Sequence, residues 1–269
     1  AWYRKHFVLP AETKGQRVVL HFEAAMGKQI LYLNGKRIQE HLGGYLPFTL
    51  DLTANGVQAG DSCLLAVFTD NSDDKSYPPG KRQYTLDFAG GGVFVHFDQI
   101  SEKSAQVYVN TEVQNDDVRS ESVTVETTLT DADGKVIKRS SGKLSLKPGE
   151  KKSIRQQMEV KNPTLWSPDT PYLYRVQSRI KKGNKSIDGG ITRVGIRLAE
   201  FRGKDGFWLN GKPFGQLVGA NRHQDFAYVG NALPNSQQWR DAKRLRDAGC
   251  TIIRVAHYPQ DPAFMDACD

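Results

Sequence analysis

The sequence predicts a mainly β protein in which two β-sandwiches precede the start of a parallel α/β domain. Residues 1–200 contain many short segments in which apolar and polar residues alternate, and turns rich in glycine, asparagine and aspartate separate these segments. Beyond Glu200 the pattern changes to short apolar strands that alternate with helix-like segments. A linker near Ile100–Ser104 separates the first all-β unit from the second. Together these observations divide the chain into three predicted domains, residues 1–100, 101–198 and 199–269.

Residues 1–100 are predicted to form a jelly-roll β-sandwich. Apolar residues occupy alternate positions from Val18 to Phe22, as one face of a half-buried strand requires. Asn34-Gly35 follows the apolar segment 29–33, and because Asn-Gly accepts positive φ at both central turn positions, a tight hairpin is expected there. Many short strands with glycine-rich turns are typical of a sandwich or a jelly roll.

Residues 101–198 are predicted to form an immunoglobulin-like β-sandwich. Alternation is strict from Val123 to Leu129, and Asp131–Gly134 and Lys147–Glu150 have the composition of hairpin turns. Two separate strands are expected in the middle of the domain, at Lys135–Ser140 and Lys143–Leu146. About seven short strands in a segment of this length are typical of the immunoglobulin-like fold.

Residues 199–269 read as the start of a parallel α/β domain. A hairpin with an Asn-Gly turn at 210–211 is followed by alternating strands and helices. One helix is expected at Ser236–Ala248. Its apolar face is expected to consist of Trp239, Ala242, Leu245 and Ala248. Asn235 or Ser236 can cap its start, and Gly249 can end it. So short a segment cannot complete such a domain, so we expect it to be unfinished at Asp269. The predicted elements are a strand at Gln216–Ala220, a helix at Ser236–Ala248, a strand at Thr251–Ala256 and a helix that Asp261-Pro262 opens.

Composition excludes several classes of protein. The net charge is +7, but the lysines and arginines are dispersed, and the densest basic region, residues 135–161, reads as the solvated face of a sandwich; nucleic acid is therefore not an expected partner. No stretch approaches the ~18 uninterrupted apolar residues of a membrane span, so no membrane association is expected. Three widely spaced cysteines give neither a disulfide framework nor a zinc pattern, and they are Cys63, Cys250 and Cys268.

The first residue is Ala1, and no signal peptide is recognisable in the segment that follows it. Because the chain starts at Ala1 without a methionine, we expect it to be a processed or engineered piece, so the absence of a signal peptide carries little weight. The compartment stays open between the periplasm and the cytoplasm of a bacterium.

Two histidines stand out by their position. His223 follows the first strand of the α/β segment, and His257 follows the second. If these strands belong to a (β/α)₈ barrel, both histidines lie at the carboxyl ends of strands, where barrel active sites are built. An imidazole there can donate hydrogen bonds to substrate hydroxyls. The alternative is that each histidine only satisfies a carbonyl of its own loop.

Several motifs occur in a fixed order along the whole chain. Those of the α/β segment are Gly219 ahead of Asn221-Arg222-His223, then Asn231-Ala232-Leu233-Pro234, Ile253-Arg254-Val255-Ala256-His257-Tyr258-Pro259 and the helix Asp261–Asp269. Those upstream are Trp2-Tyr3-Arg4-Lys5-His6-Phe7, Leu33-Asn34-Gly35, Gly43-Gly44-Tyr45-Leu46-Pro47-Phe48 and the segment Leu165–Tyr174. This ordered set resembles the N-terminal part of glycoside hydrolase family 2, of the β-galactosidase type.

The resemblance implies a fold and three site residues. It implies a sugar-binding jelly roll, an immunoglobulin-like sandwich and the first βα units of an incomplete (β/α)₈ barrel. His223 and His257 match the two family histidines that contact the galactosyl unit. Asp87 matches a jelly-roll aspartate that holds galactose hydroxyls, although residues 90–96 lack the arginine and aspartate usual in the family's next segment. The alternative for Asp87 is a surface turn residue.

The resemblance also implies what this segment leaves to later residues. Retaining glycosidases need two carboxyl groups ~5–5.5 Å apart. In the family both are glutamates on later barrel strands, and the divalent-metal ligands also lie later in the chain, so we expect no catalytic residue and no cofactor in this chain. Asp225 and Asp261 gain no catalytic role from the resemblance.

The function implied is therefore part of a retaining exo-β-galactosidase whose partner is a β-galactoside, and a homo-oligomer is compatible with it. Two alternatives stay open. One is a non-catalytic carbohydrate-binding or interaction module made of two sandwiches. The other is a family 2 enzyme of different specificity, such as a β-glucuronidase or a β-mannosidase.

Overall fold

The computed structural model describes residues 1–23, 25, 27–43, 47–70, 92–227, 230, 233–258 and 260–269. Most of the regular structure in these ranges is antiparallel β-sheet, and a short strand–helix–strand–helix segment follows it, which confirms the predicted fold class. The chain divides into two compact units, Ala1–Asp87 with Gly219–Cys268, and Phe88–Val218 with Asp269. The predicted boundaries between three domains stay a prediction.

The first part of the chain forms two antiparallel sheets, with strand orders β1-β6-β3-β4 and β2-β5. The strands are β1 (Trp2–Val8), β2 (Val19–Phe22), β3 (Lys28–Leu33), β4 (Lys36–Leu42), β5 (Phe48–Asp51) and β6 (Ser62–Asp70). Asn34 and Gly35 both have positive φ, 50° and 82°, between β3 and β4, so the hairpin predicted from Asn-Gly is confirmed.

Alternation along these strands builds the core of the first sandwich. Leu31 and Leu33 of β3 are buried with Leu50 of β5. Val18 and Phe22 are half-buried and pack against the same core, as the alternation of this segment predicts. The core therefore lies between the faces that the sequence pattern marks as apolar.

The second unit contains a sandwich of seven strands. Its sheets have the orders β10-β9-β12-β13 and β11-β8-β7, and every pairing is antiparallel. The core holds Val107, Val109, Val125, Leu129 and Val176, all fully buried. The strands are β7 (Val93–Asp98), β8 (Ser104–Gln114), β9 (Glu121–Thr130), β10 (Val136–Leu146), β11 (Lys151–Lys161), β12 (Tyr174–Lys182) and β13 (Lys185–Val194).

One strand of this sandwich corrects the sequence analysis. The two strands predicted at Lys135–Ser140 and Lys143–Leu146 are one continuous strand, β10. β10 pairs with β9 from Val136 to Leu146, and the irregularity in its register falls near its start, between Val136 and Lys138. Ser141 and Gly142 look like a turn in the sequence, but the ladder to β9 holds them extended because both carry paired backbone groups.

A three-stranded antiparallel sheet follows in the same unit. Its strands are β14 (Ala199–Phe201), β15 (Phe207–Leu209) and β16 (Lys212–Gly215). Asn210, with φ of 51°, makes the turn between β15 and β16. Its side chain accepts a hydrogen bond from the Leu198 N–H at 3.0 Å and donates one to the Trp166 carbonyl at 3.0 Å. This side chain therefore ties the hairpin to the end of the sandwich.

The last segment is the predicted βαβα unit. Its elements are β17 (Gly219–Arg222), α1 (Asn235–Asp247), β18 (Ile252–Val255) and α2 (Pro262–Cys268). β17 and β18 are parallel, with Gly219 opposite Ile252 and Arg222 opposite Val255. A Cβ at position 219 would lie 1.8 Å from the Ile252 carbonyl oxygen, so only glycine allows the two strands to approach this closely.

Two expectations for the first strand and helix are wrong in detail. The first strand begins at Gly219 and not at Gln216. The helix begins at Asn235, after Pro234, and no side chain caps it. Gly249, with φ of 86°, does follow its end.

The predicted apolar face of α1 is also only partly correct. Ala242 is buried as expected, but Trp239 is 50% exposed and Ala248 is exposed. Gln237 and Gln238 are buried in their place. The reason is that the inner face of α1 meets a charged side chain of β17 and not an apolar one, so polar residues that can pair with it lie inside.

Hydrogen exchange provides a test of how strongly each part of the fold is held. In the 269-residue chain we expect the amides of Ile252–Val255 to exchange faster than those of Val123–Leu129. β18 has three exposed residues out of four, whereas alternate residues of β9 are buried in the second sandwich. Equal protection of the two strands would contradict the expectation.

Candidate functional site

The ends of the two parallel strands bring the predicted histidines together. His223 directly follows β17, and His257 lies two residues beyond the end of β18. Their ring centroids are 5.4 Å apart and the ring planes are inclined at 84°. Both side chains are exposed. Parallel pairing explains the proximity, because it places the carboxyl ends of neighbouring strands at one edge of the sheet.

Asp87, the third predicted site residue, lies outside the described residues. Its assignment from the family resemblance stays a prediction.

Tyr258 joins the two loops that carry the histidines. Its hydroxyl oxygen accepts a hydrogen bond from the Gln224 N–H at 2.9 Å, and its ring lies 6.2 Å from that of His223. Burial raises the pKa of the Tyr258 hydroxyl above its usual value, against the smaller effect of the hydrogen bond from Gln224. The hydroxyl therefore stays neutral at physiological pH and holds the first loop in place.

A second hydrogen bond joins the same loops. The Gln224 side-chain oxygen accepts a hydrogen bond from the Asp261 N–H at 2.5 Å. The Asp261 carboxylate accepts the Ala263 N–H at 2.8 Å and so caps the start of α2. The Asp261 carboxylate therefore has a structural role as the cap of α2.

Arg222 ends β17, directly before His223, and is 5% exposed. One terminal nitrogen, Nη2, donates to Gln238 at 2.6 Å and to the Asp241 carboxylate at 2.9 Å, both on α1. The other, Nη1, donates to the Gln260 side-chain oxygen. The guanidinium carbon lies 4.0 Å above the centre of the Phe264 ring of α2. Pairing with Asp241 compensates the burial of the charge.

Arg222 is the site residue that the sequence analysis did not single out. It appears there only as the middle of Asn221-Arg222-His223. The available signal was the position of an arginine within a strand of an α/β unit, because a charged residue in such a strand is buried only when a partner carboxylate lies close by.

The exposed surface at the strand ends is polar. Asn221 and Arg254 lie opposite each other on β17 and β18, and the Arg254 guanidinium donates to the Asn221 side-chain oxygen at 3.4 Å. Imidazole, guanidinium and amide groups at one edge can hydrogen-bond to the hydroxyls of a polyol. They do not supply the pair of carboxyl groups that glycoside hydrolysis requires.

Two further findings concern the described part of the chain alone. Within it, no group of three or more histidine, cysteine, aspartate or glutamate side chains has the geometry to hold a metal ion. The helices of that part are too short or too polar to cross a membrane.

Comparison with known families identifies the class of protein. Residues 92–197 match the family model for glycosyl hydrolases family 2, and residues 201–269 match the model for the family 2 TIM barrel domain. The two matches follow each other in this order and together cover more than half of the chain. The chain therefore belongs to glycosyl hydrolase family 2 and corresponds to an N-terminal portion of it.

The relatives differ in their substrates. A β-galactosidase of Thermoanaerobacter pseudethanolicus is 33% identical, and the match covers the whole chain and 38% of that protein. A β-glucuronidase of Formosa agariphila is 30% identical over the whole chain and 30% of its own length. A solved β-glucuronidase 2 of Bacteroides uniformis is 30% identical, with a TM-score of 0.81 over the whole chain and 34% of that protein. The chain thus spans about a third of the length of these relatives.

The tie between the two histidine loops can be measured at one amide. In Tyr258→Phe the Gln224 N–H loses its acceptor, and leaving it unpaired costs about 1–2 kcal/mol, so its protection from hydrogen exchange should fall about 5- to 30-fold. Tyr3→Phe is the matched control, because Tyr3 is 58% exposed in β1. Unchanged protection of Gln224 in Tyr258→Phe would show that the hydroxyl does not hold the loop.

Proposed function

We propose that this chain is the N-terminal, substrate-binding part of a retaining glycoside hydrolase that acts on terminal β-galactosides. The observation that carries the proposal is the pair His223 and His257, whose rings lie 5.4 Å apart at the carboxyl ends of two parallel strands. This is the edge of a (β/α)₈ barrel at which active sites are built. In this proposal both imidazoles hydrogen-bond to hydroxyls of the sugar ring.

The bond-breaking groups are assigned to residues beyond Asp269. A retaining enzyme needs one carboxylate as nucleophile and one carboxyl group as acid and base. By the family resemblance, both are glutamates on later barrel strands. The B. uniformis enzyme is described as covalently bound to cyclophellitol-6-carboxylate aziridine, which supports a covalent intermediate in this family.

A divalent metal would likewise depend on later residues. The residues described do not offer a set of three ligands that fits such an ion.

Substrate specificity is the part of the proposal that depends most on other residues. A β-galactosidase and a β-glucuronidase match the chain with almost equal identity, 33% and 30%. These substrates differ at C6, which carries a hydroxymethyl group in a galactoside and a carboxylate in a glucuronide. A site built for the neutral group leaves the carboxylate without a partner and rejects it.

A non-catalytic carbohydrate-binding module is the second candidate. Two sandwiches would suffice for such a module. The parallel pair β17 and β18 with its two histidines favours the enzyme, because a binding module has no need for the start of a barrel.

The first test compares activity in the 269-residue chain and in the full-length protein. We expect no turnover of 4-nitrophenyl β-galactoside by the 269-residue chain, because the covalent intermediate cannot form without its nucleophile. The full-length protein should hydrolyse the galactoside faster than the matching glucuronide and mannoside. Turnover by the short chain above a heat-treated control would refute the assignment of the glutamates. Preference for the glucuronide would replace the proposed specificity, and binding without hydrolysis by the full-length protein would favour the module.

The second test concerns the histidines. In the full-length enzyme, His223→Ala and His257→Ala should each lower kcat/KM by about 5- to 150-fold, since each removes a hydrogen bond worth about 1–3 kcal/mol to a ring hydroxyl. His21→Ala is the control, because His21 is exposed on β2 of the first sandwich. Thermal unfolding should change little in all three variants. Full activity of both site variants, with unchanged folding, would contradict the assignment.

The third test concerns Asp87. By the resemblance, Asp87→Asn in the full-length enzyme should raise KM for the galactoside, because an amide replaces a carboxylate that accepts hydrogen bonds from sugar hydroxyls. The measurement is the steady-state rate across substrate concentrations. An unchanged KM would support the alternative, in which Asp87 is a surface turn residue.

A further inference from the structure

We propose that Arg222 is a positioning residue that sets the separation of His223 and His257 through its contact with Gln260. The proposal rests on the proposed function for its kinetic consequence. The predicted effect on the separation of the two histidines depends only on the contacts of the buried Arg222 side chain.

The backbone of Arg222 is the first link. Arg222 is the last residue of β17, and His223 is the next residue along the chain. The Arg222 carbonyl accepts the Ala256 N–H at 3.0 Å, and Ala256 directly precedes His257. The two histidines therefore extend from neighbouring backbone positions that share one hydrogen bond.

The side chain of Arg222 divides into two arms. The helix arm is Nη2, which contacts Gln238 and Asp241 of α1 at 2.6 and 2.9 Å. The loop arm is Nη1, which contacts the Gln260 side chain. The guanidinium is a rigid planar fork, so fixing the helix arm also fixes where the loop arm points.

Gln260 connects the Arg222 side chain to the loop that carries His257. It is 9% exposed, and only two residues separate it from His257. Its side-chain nitrogen donates to the Tyr258 carbonyl at 3.4 Å, which ties the residue next to His257 to the same amide. Arg222 thus holds the loop of His257 against α1, while its own backbone carries His223.

Loss of the helix-arm contacts and loss of the loop-arm contact should have different consequences. The Arg222–Asp241 ion pair, with 5% and 23% of the two side chains exposed, compensates the buried charge. Removing the Gln260 amide leaves this ion pair intact and takes away only the contact of the loop arm. Gln238 of α1 is 0% exposed. Removing its amide takes away a buried contact of the helix arm and leaves the loop arm in place.

This difference gives a matched pair of variants in the full-length enzyme. Gln260→Met and Gln238→Met each replace a buried amide by a side chain of similar volume. We expect Gln260→Met to lower kcat about 10- to 100-fold with KM changed less than about twofold, because misplacing a transition-state contact by about 1 Å has effects of this size. Gln238→Met should keep kcat within about twofold and lower the melting temperature.

A third variant tests the fork itself. Arg222→Lys keeps the charge beside Asp241 but cannot contact Gln260 at the same time with fixed geometry. We expect it to lower kcat as Gln260→Met does. If Arg222→Lys fails to fold, the comparison of the two glutamine variants still decides the proposal.

Crystal structures of the two glutamine variants supply a readout that needs no turnover. The 5.4 Å separation of the imidazole centroids should be kept in Gln238→Met and lost in Gln260→Met. A separation kept in Gln260→Met, or equal loss of kcat in both glutamine variants, would overturn the positioning role. A wild-type enzyme that hydrolyses no glycoside would instead overturn the proposed function, and the two crystal structures would still decide the role of Arg222.

Discussion

The close parallel approach of β17 and β18 is the constraint on which the candidate site depends. Only a residue without a Cβ can stand opposite Ile252, and Gly219 is that residue. From this point the register runs to Arg222 opposite Val255, and the chain leaves both strands at the same edge. His223 and His257 meet there although 33 residues separate them in the sequence.

Burial of Arg222 explains why the helix that follows β17 turns a polar face inward. A guanidinium without a partner carboxylate is costly inside a protein, so α1 presents Asp241 and Gln238 to it. Trp239, one residue further round the helix, is consequently left half-exposed. The contacts of Arg222 therefore account for the polar residues on the inner face of α1.

The sequence predicts those features whose cause is local. Asn34-Gly35 and the alternation from Val123 to Leu129 depend on φ preferences and on the two-residue period of a strand, and the structure confirms both. The buried face of α1 could not be predicted in the same way, because Gln238 lies inside only through its contact with Arg222. The pairing of His223 with His257 was predictable as soon as the two strands were taken as parallel.

An apolar side chain could fill the space of Arg222 at a smaller cost in desolvation, but it could not hold two loops in one geometry. Exposed imidazoles on loops are free to reorient, and a contact that must reorganise during the reaction stabilises the transition state less than one already in place. Under the proposed function, hydrogen bonds equally strong to substrate and transition state would lower KM alone. Under the proposed function and the proposed positioning role, holding the loops of the two histidines is the means by which the buried Arg222 would affect the rate of bond cleavage.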